Sequence, residues 1–302
     1  MAALPSLRQL SYLVTLAETL HFTEAARRSF VTQSTLSGGI MELERVLGGS
    51  LVERSRQNVR LTPLGEQVVA RARLMLADAH DLMRLSRELS EPFTGDLHLG
   101  IIPTIAPFML APLLEAVAAS MPNLTLHMHE LQSQVAVEQL ENSSIDMVLL
   151  ALPFAVDQFQ VQSLQDEPLY LVCHQSDSAA LAATQLDDLP LERLLLLEEG
   201  HCLREHALST CALGDQASMA SGLSASSLLT LMQLVRAKLG FTLLPKMAID
   251  AGFLNAHPQL IARPLNDPPT RSIALLTRKS STQMSEFSRL ADVATGLLQQ
   301  QG

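Results

Sequence analysis

Phe22-Thr23-Glu24-Ala25-Ala26-Arg27-Arg28-Ser29-Phe30-Val31-Thr32-Gln33-Ser34-Thr35-Leu36-Ser37 reads as two short helices joined by a tight turn. Thr23 is a good cap for the first, residues 24–29, and Thr32 caps a second that begins at Gln33 and runs to Leu47. Ahead of them Leu7, Leu10, Leu13, Val14 and Ala17 repeat at helical spacing. Behind them Leu51-Val52-Glu53-Arg54, the basic turn Arg56-Gln57-Asn58 and Val59-Arg60-Leu61-Thr62 predict a β-hairpin wing. A helix that opens with small polar side chains is suited to the major groove of double-stranded DNA. Thr32, Gln33, Ser34, Thr35 and Ser37 are therefore candidates to reach base edges or phosphates, and Arg54 and Arg56 to touch the backbone. Gly38-Gly39 interrupts the same helix, each glycine costing up to about 1 kcal/mol against alanine.

Charge agrees with this placement. The chain carries a net charge of -10, yet residues 1–91 hold 11 arginines against 10 acids and the excess of acid falls beyond them. Only the N-terminal part can face phosphate without general repulsion. The 302 residues, 47% of them apolar and 17% charged, predict a folded chain of two domains or more. No apolar run approaches the roughly 18 residues of a membrane span, so no membrane partner is expected. Met1-Ala2-Ala3-Leu4-Pro5 has neither the basic flank nor the apolar core of an export signal. Three cysteines with no such signal point to the reducing cytoplasm, where a disulfide is transient.

From Glu66 to Glu91 there is neither glycine nor proline, and Val68, Ala72, Met75, Ala79, Leu82, Ser86 and Leu89 fall at alternating spacings of four and three. That is a heptad seam, fit either for a partner helix or for packing on its own domain. Beyond Gly95 strands and helices alternate. Strands are expected at 97–102, 124–129, 146–151, 169–174, 194–197, 241–245 and 272–277, with helices including 108–120 and 226–239. The reading is α/β with parallel sheets. Asp166-Glu167-Pro168 and Asp267-Pro268-Pro269 look like two crossings between subdomains.

The chemistry concentrates in Glu199-Gly200-His201-Cys202-Leu203-Arg204-Glu205-His206-Ala207-Leu208-Ser209-Thr210-Cys211. Gly200 ends a buried strand, Leu194 to Leu197, and Cys202 opens the next helix, where cationic neighbours and helix-start amides favour a thiolate. Were residues 202–211 helical, their Cα atoms would lie roughly 13 Å apart. A disulfide tolerates at most about 7 Å, so joining the two thiols requires the segment to melt and repack. Inert core cysteines are the plain alternative. A metal site from Cys202, His206 and Cys211 is disfavoured, because Cys211 falls on another helix face and no paired Cys-x-x-Cys supports it. His206 and Glu205 read as part of a solvated helix face, and Cys173, on a predicted buried strand, as core.

Residues 22–26, 31–37, Leu43-Glu44, Leu47-Gly48 and Leu61-Thr62-Pro63-Leu64-Gly65 together resemble the LysR-type transcriptional regulators. Ser34 stands where that family usually has proline. The resemblance implies a winged helix-turn-helix DNA-binding domain over residues 1–65 and a linker and dimerisation helix over 66–92. It further implies a two-lobed, periplasmic-binding-protein-like regulatory domain over 93–302, with lobe I at 93–167 and 270–302 and lobe II at 168–269.

Within the family, Gly200-His201-Cys202-Leu203-Arg204 with Cys211, Ile102-Pro103-Thr104, Ala225-Ser226-Ser227-Leu228 and Gly240-Phe241-Thr242-Leu243-Leu244-Pro245 resemble the hydrogen-peroxide-sensing OxyR branch. By that resemblance Cys202 is the peroxidatic thiol and Cys211 the resolving one. Thr104 and Ser133 bind the peroxide, and His201 and Arg204 support the thiolate and the departing oxygen. The implied partners are promoter DNA, hydrogen peroxide, further copies of the chain as a dimer of dimers, RNA polymerase and cellular thiol reductants, with no cofactor and no resident metal. An oxidative-stress regulator is thus expected rather than an enzyme. A family member answering a small organic effector between the lobes, and a thiol peroxidase, are the rivals.

Overall fold

The computed structural model describes residues 4–54, 59–88, 93–210 and 223–300. The chain divides into two compact units, residues 1–92 with 141–144, and residues 93–140 with 145–302.

The first unit contains α1 (Leu7–Thr19), α2 (Phe22–Arg28), α3 (Gln33–Leu47), β1 (Val52–Arg54), β2 (Val59–Leu61) and α4 (Pro63–Glu88). Ser6 and Gln9 cap the start of α1 reciprocally. Thr32 caps α3 as its chemistry predicts, its hydroxyl accepting from the Thr35 amide at 3.2 Å. Thr23 does not cap α2. The helix starts two residues earlier, at Phe22, and the His21 ring accepts from the Glu24 amide, while the Thr23 hydroxyl donates to Gln33 Oε1 at 3.1 Å. Leu13, Leu16, Leu36, Ile40, Leu43 and Leu51 are wholly buried between the helices and the wing. Each such side chain contributes about 1.5–3 kcal/mol through the water it sheds.

β1 and β2 pair antiparallel with Val52 opposite Leu61. The turn between them, with Arg56, and the side chain of Arg54 lie outside the described residues. Along α4, Val69 and Ala72 belong to this unit's own core, whereas Met75 and Leu82 stay exposed. The predicted seam is therefore split between self-packing and a free apolar edge; its last member, Leu89, is outside the described residues.

The second unit holds β3 (Gly95–Ile101), α5 (Ala106–Ser120), β4 (Leu124–Glu130), α6 (Ser133–Glu141), β5 (Met147–Leu152), β6 (Phe159–His174), α7 (Ser178–Ala182), β7 (Leu196–Leu197) and α8 (Cys202–Thr210). It continues with β8 (Ser224–Ala225), α9 (Leu228–Arg236), β9 (Thr242–Pro245), α10 (Lys246–Asp250), β10 (Leu260–Arg263), β11 (Thr270–Arg278) and α11 (Met284–Gln300). The main sheet runs β10-β6-β11-β5-β3-β4, with β9 also on β6. It is mixed, not parallel. Only β3 pairs parallel with β4 and β5, while β11 lies antiparallel to β5 and β6. Alternation of elements misled here because two connections cross between lobes instead of returning as βαβ units.

β5 is buried on both faces, as its uninterrupted apolar run requires. β6 spans 16 residues, so Asp166-Glu167-Pro168 is not a break but the middle of a strand. Its first part ladders with β11 and its last part with β9 and β10. The two crossings lie side by side, Thr270 opposite Pro168 and the Leu169 amide donating to Pro269 O at 2.7 Å. The unit is two-lobed, joined along that ladder.

Candidate functional site

Two helix starts meet at the site. β7 ends at Leu197, and Gly200, with φ 91°, turns the chain sharply into α8. A side chain there would be strained by that angle and would press on the Gln132 amide. The turn brings Cys202 to the first position of α8 beside Ser133, the first residue of α6. Ser133 Oγ accepts from the Cys202 amide at 3.3 Å, and the Ser133 amide donates to Gly200 O at 3.1 Å. Cys202 is 1% exposed.

Burial pushes the Cys202 thiol up from its ordinary value. The Arg271 guanidinium and hydrogen bonds from Ser133 and the backbone oppose this without overcoming it. The expectation of a thiol poised as thiolate by its sequence neighbours is therefore reversed: in this arrangement it is held as the thiol. His201 is buried, accepts from the Gln132 amide at 3.1 Å, and is pushed down by burial against the pull of Glu198. Arg204 turns to the Leu197 carbonyl, donating from Nη1 at 3.2 Å.

The cation at the thiol is one that sequence reading missed. Arg271, at the start of β11, is 1% exposed and the largest fully buried side chain among the described residues. Its Nε donates to Glu167 Oε2 at 2.8 Å, its Nη1 to Thr104 Oγ1 at 2.9 Å and its Nη2 to Thr104 O at 3.3 Å. Glu167 also accepts from the Met247 amide, through Oε1 at 2.7 Å. Thr104, buried after β3, is thus held by a buried arginine from a distant strand. The available signal was charge beside an apolar strand run, since such a residue is seldom buried unless paired.

His206 is not on a solvated face. It is 2% exposed, its Nε2 donates to Pro153 O at 3.1 Å, and burial lowers it to about 4, Arg271 adding to the effect. Glu205 does lie exposed. Among the described residues no group of three or more histidine, cysteine or acidic side chains is arranged to hold a metal. Cys173 is buried on β6 and burial raises its thiol. Cys211 lies outside the described residues.

In the first unit, Thr32, Gln33, Ser34 and Thr35 are exposed at the start of α3, and Ser37 is half-buried. Glu24 pairs with Arg27 and Arg28 beside them, which holds its carboxyl down at about 2.

Comparison with known proteins joins both units. Residues 7–66 match the bacterial regulatory helix-turn-helix proteins of the lysR family, and residues 90–299 match the LysR substrate binding domain. The chain is 63% identical over 293 residues to the HTH-type transcriptional regulator EstR of Acinetobacter baylyi, covering 97% of both chains. It is 35% identical over 289 residues to the DNA-binding transcriptional dual regulator OxyR of Escherichia coli, covering 95% of this chain and 94% of that one. A full-length cysteine-to-aspartate variant of OxyR from Pseudomonas aeruginosa superposes with a TM-score of 0.76 at 32% identity, over 97% of this chain and 95% of that chain. A hydrogen-peroxide-bound cysteine-to-serine variant of OxyR from Corynebacterium glutamicum gives 0.65 at 33% identity, over 100% and 95%. With both halves matched and the whole length shared, the chain belongs to the LysR family of DNA-binding transcriptional regulators.

Proposed function

We propose that this regulator senses hydrogen peroxide at Cys202 and controls oxidative-stress genes through a reversible Cys202–Cys211 disulfide. The observation that carries the reading is the enclosure of Cys202, with the Ser133 hydroxyl on its amide and the Arg271 cation that acts on its thiol bonded to the Thr104 hydroxyl. The likeness to OxyR proteins, one of them peroxide-bound, supports it.

In the proposed reaction the Cys202 thiol loses its proton and attacks one peroxide oxygen. The O–O bond breaks, Cys202 becomes a sulfenic acid, and the second oxygen keeps its own hydrogen and takes up that proton to leave as water. Cys211 then displaces water from the sulfenic acid, so two thiols and one peroxide give one disulfide and two waters. Since α8 runs to Thr210, about 12 Å of helix separates its ends, and the closure unravels it. Cellular thiol reductants reverse the step. Thr32, Gln33, Ser34, Thr35, Ser37, Arg54 and Arg56 serve the DNA, and His201 the pocket. The assembly is a dimer of dimers acting in the cytoplasm with RNA polymerase.

A second reading has its own support. The 63% relative carries a name that mentions no peroxide, and burial of the thiol disfavours the thiolate. In that reading a small organic effector between the lobes drives the regulator. One equivalent of peroxide followed by mass mapping decides: a 202–211 linkage and a promoter response lost in Cys202→Ser are expected. A C202S variant as responsive to peroxide as the parent overturns the peroxide reading.

A further inference from the structure

A buried guanidinium beside a thiol should draw out its proton. Here burial outweighs that pull, and Arg271 is itself held by an anion. Glu167 Oε2 takes both Nε and Nη2 at 2.8 Å, so the cation already has its anion. The remaining amine, Nη1, donates to Thr104 Oγ1. Guanidinium nitrogen only donates, so the Thr104 oxygen is the acceptor and its own proton is left to point elsewhere. Glu167 is itself fixed by the Met247 amide at the start of α10. Arg271, from β11, supplies the charge that acts on the thiol; His201 and His206, on the α8 side, are neutral at neutral pH because burial lowers both.

We propose that Glu167 is a positioning residue for Cys202: through Arg271 it withholds positive charge from the thiol and fixes the Thr104 hydroxyl as a donor to an incoming peroxide oxygen. The second half of this role rests on the peroxide reading; the first half does not. The arrangement keeps the thiol quiet towards general electrophiles while leaving a donor in place for one small oxidant. Selectivity then comes from the Glu167–Arg271–Thr104 chain more than from an acidic cysteine.

The test is the alkylation rate of Cys202 by iodoacetamide, followed by peptide mapping in the full-length protein from about pH 5 to about pH 10. Glu167→Gln is expected to bring the thiol below the roughly 8.5 of a free cysteine, with alkylation at pH 7 faster by about tenfold or more. E167Q/R271M, which removes the unmasked cation as well, is expected to return the profile to that of the parent. Glu167→Asp is expected to fall between the two. The ratio of peroxide oxidation to alkylation should drop in E167Q.

An E167Q profile that is unchanged, or that moves only as far as a free cysteine, overturns the proposal, because loosening alone would do the latter. A double variant that fails to reverse E167Q also overturns it. Should E167Q not fold, an E167D profile equal to the parent's does so. If peroxide fails to oxidise parental Cys202, the peroxide reading falls while the alkylation profiles still decide the role of Glu167.

Discussion

Ser133 and Cys202, 69 positions apart in sequence, each begin a helix, and the hydroxyl of the first accepts the amide of the second at 3.3 Å. Removing that hydroxyl leaves a buried donor unmet. Ser133→Ala is expected to lower the stability of the regulatory unit by about 1 kcal/mol in urea unfolding. It should also slow Cys202 alkylation at fixed pH, since the Ser133 bond favours the thiolate. Unchanged alkylation would separate Ser133 from the thiol.

His206 makes stability depend on pH. Its folded value, about 4, lies below the ordinary 6.5, so the unfolded chain takes up a proton first as pH falls. Stability from this group is complete above about 6.5 and declines down to about 4, by at most about 3 kcal/mol in all. His98 and His201 are lowered too and add slope of the same sign. His206→Gln, which keeps a donor for Pro153 O, is expected to flatten the curve. A slope unaffected by H206Q would contradict the assignment.

The paired glycines of α3 are unequal. A Cβ on Gly39 would sit 2.8 Å from Tyr12 Cδ2, whereas one on Gly38 meets nothing within 4 Å. Gly38→Ala is expected to stabilise the DNA-binding unit by up to about 1 kcal/mol, Gly39→Ala to destabilise it by about 1–3 kcal/mol. Hydrogen exchange of α3 amides reads both. Nothing in the structure explains why Gly38 is glycine.

Glu44 anchors the wing to α3. Its Oε1 accepts from the amides of Leu51 at 2.8 Å and Val52 at 3.2 Å and from the Ser50 hydroxyl at 3.3 Å. Glu44→Ala is expected to cost about 1.5–3 kcal/mol and to weaken promoter binding about tenfold at fixed salt, with Glu44→Gln between. Gel-shift titration and hydrogen exchange at Leu51 and Val52 check it; a wing as protected as the parent's would refute it.

What the sequence disclosed follows the range of the forces involved. Thr32 and α3 were legible because a cap acts over three residues and the buried Leu36, Ile40 and Leu43 recur at helical spacing. The start of α2 was misplaced by two residues because an imidazole, His21, took the role expected of Thr23. The Cys202 neighbourhood could be found from its composition, but not its electrostatics. His201 and Arg204 sit beside it in sequence, yet Arg204 turns to Leu197 O and burial outweighs both. Arg271 and Glu167 were beyond reach: 104 positions separate them, and only the crossing ladder of β6 and β11 brings them together.

β6 passes without interruption through both lobes, carrying Glu167 near its middle. Lobes joined by a mere tether can swing apart freely, but here separation would have to tear amides from carbonyls along the ladder. What such a ribbon yields to most easily is torsion about its own length. A chemical event at Cys202 would then be transmitted as a twist, with Glu167 on its axis.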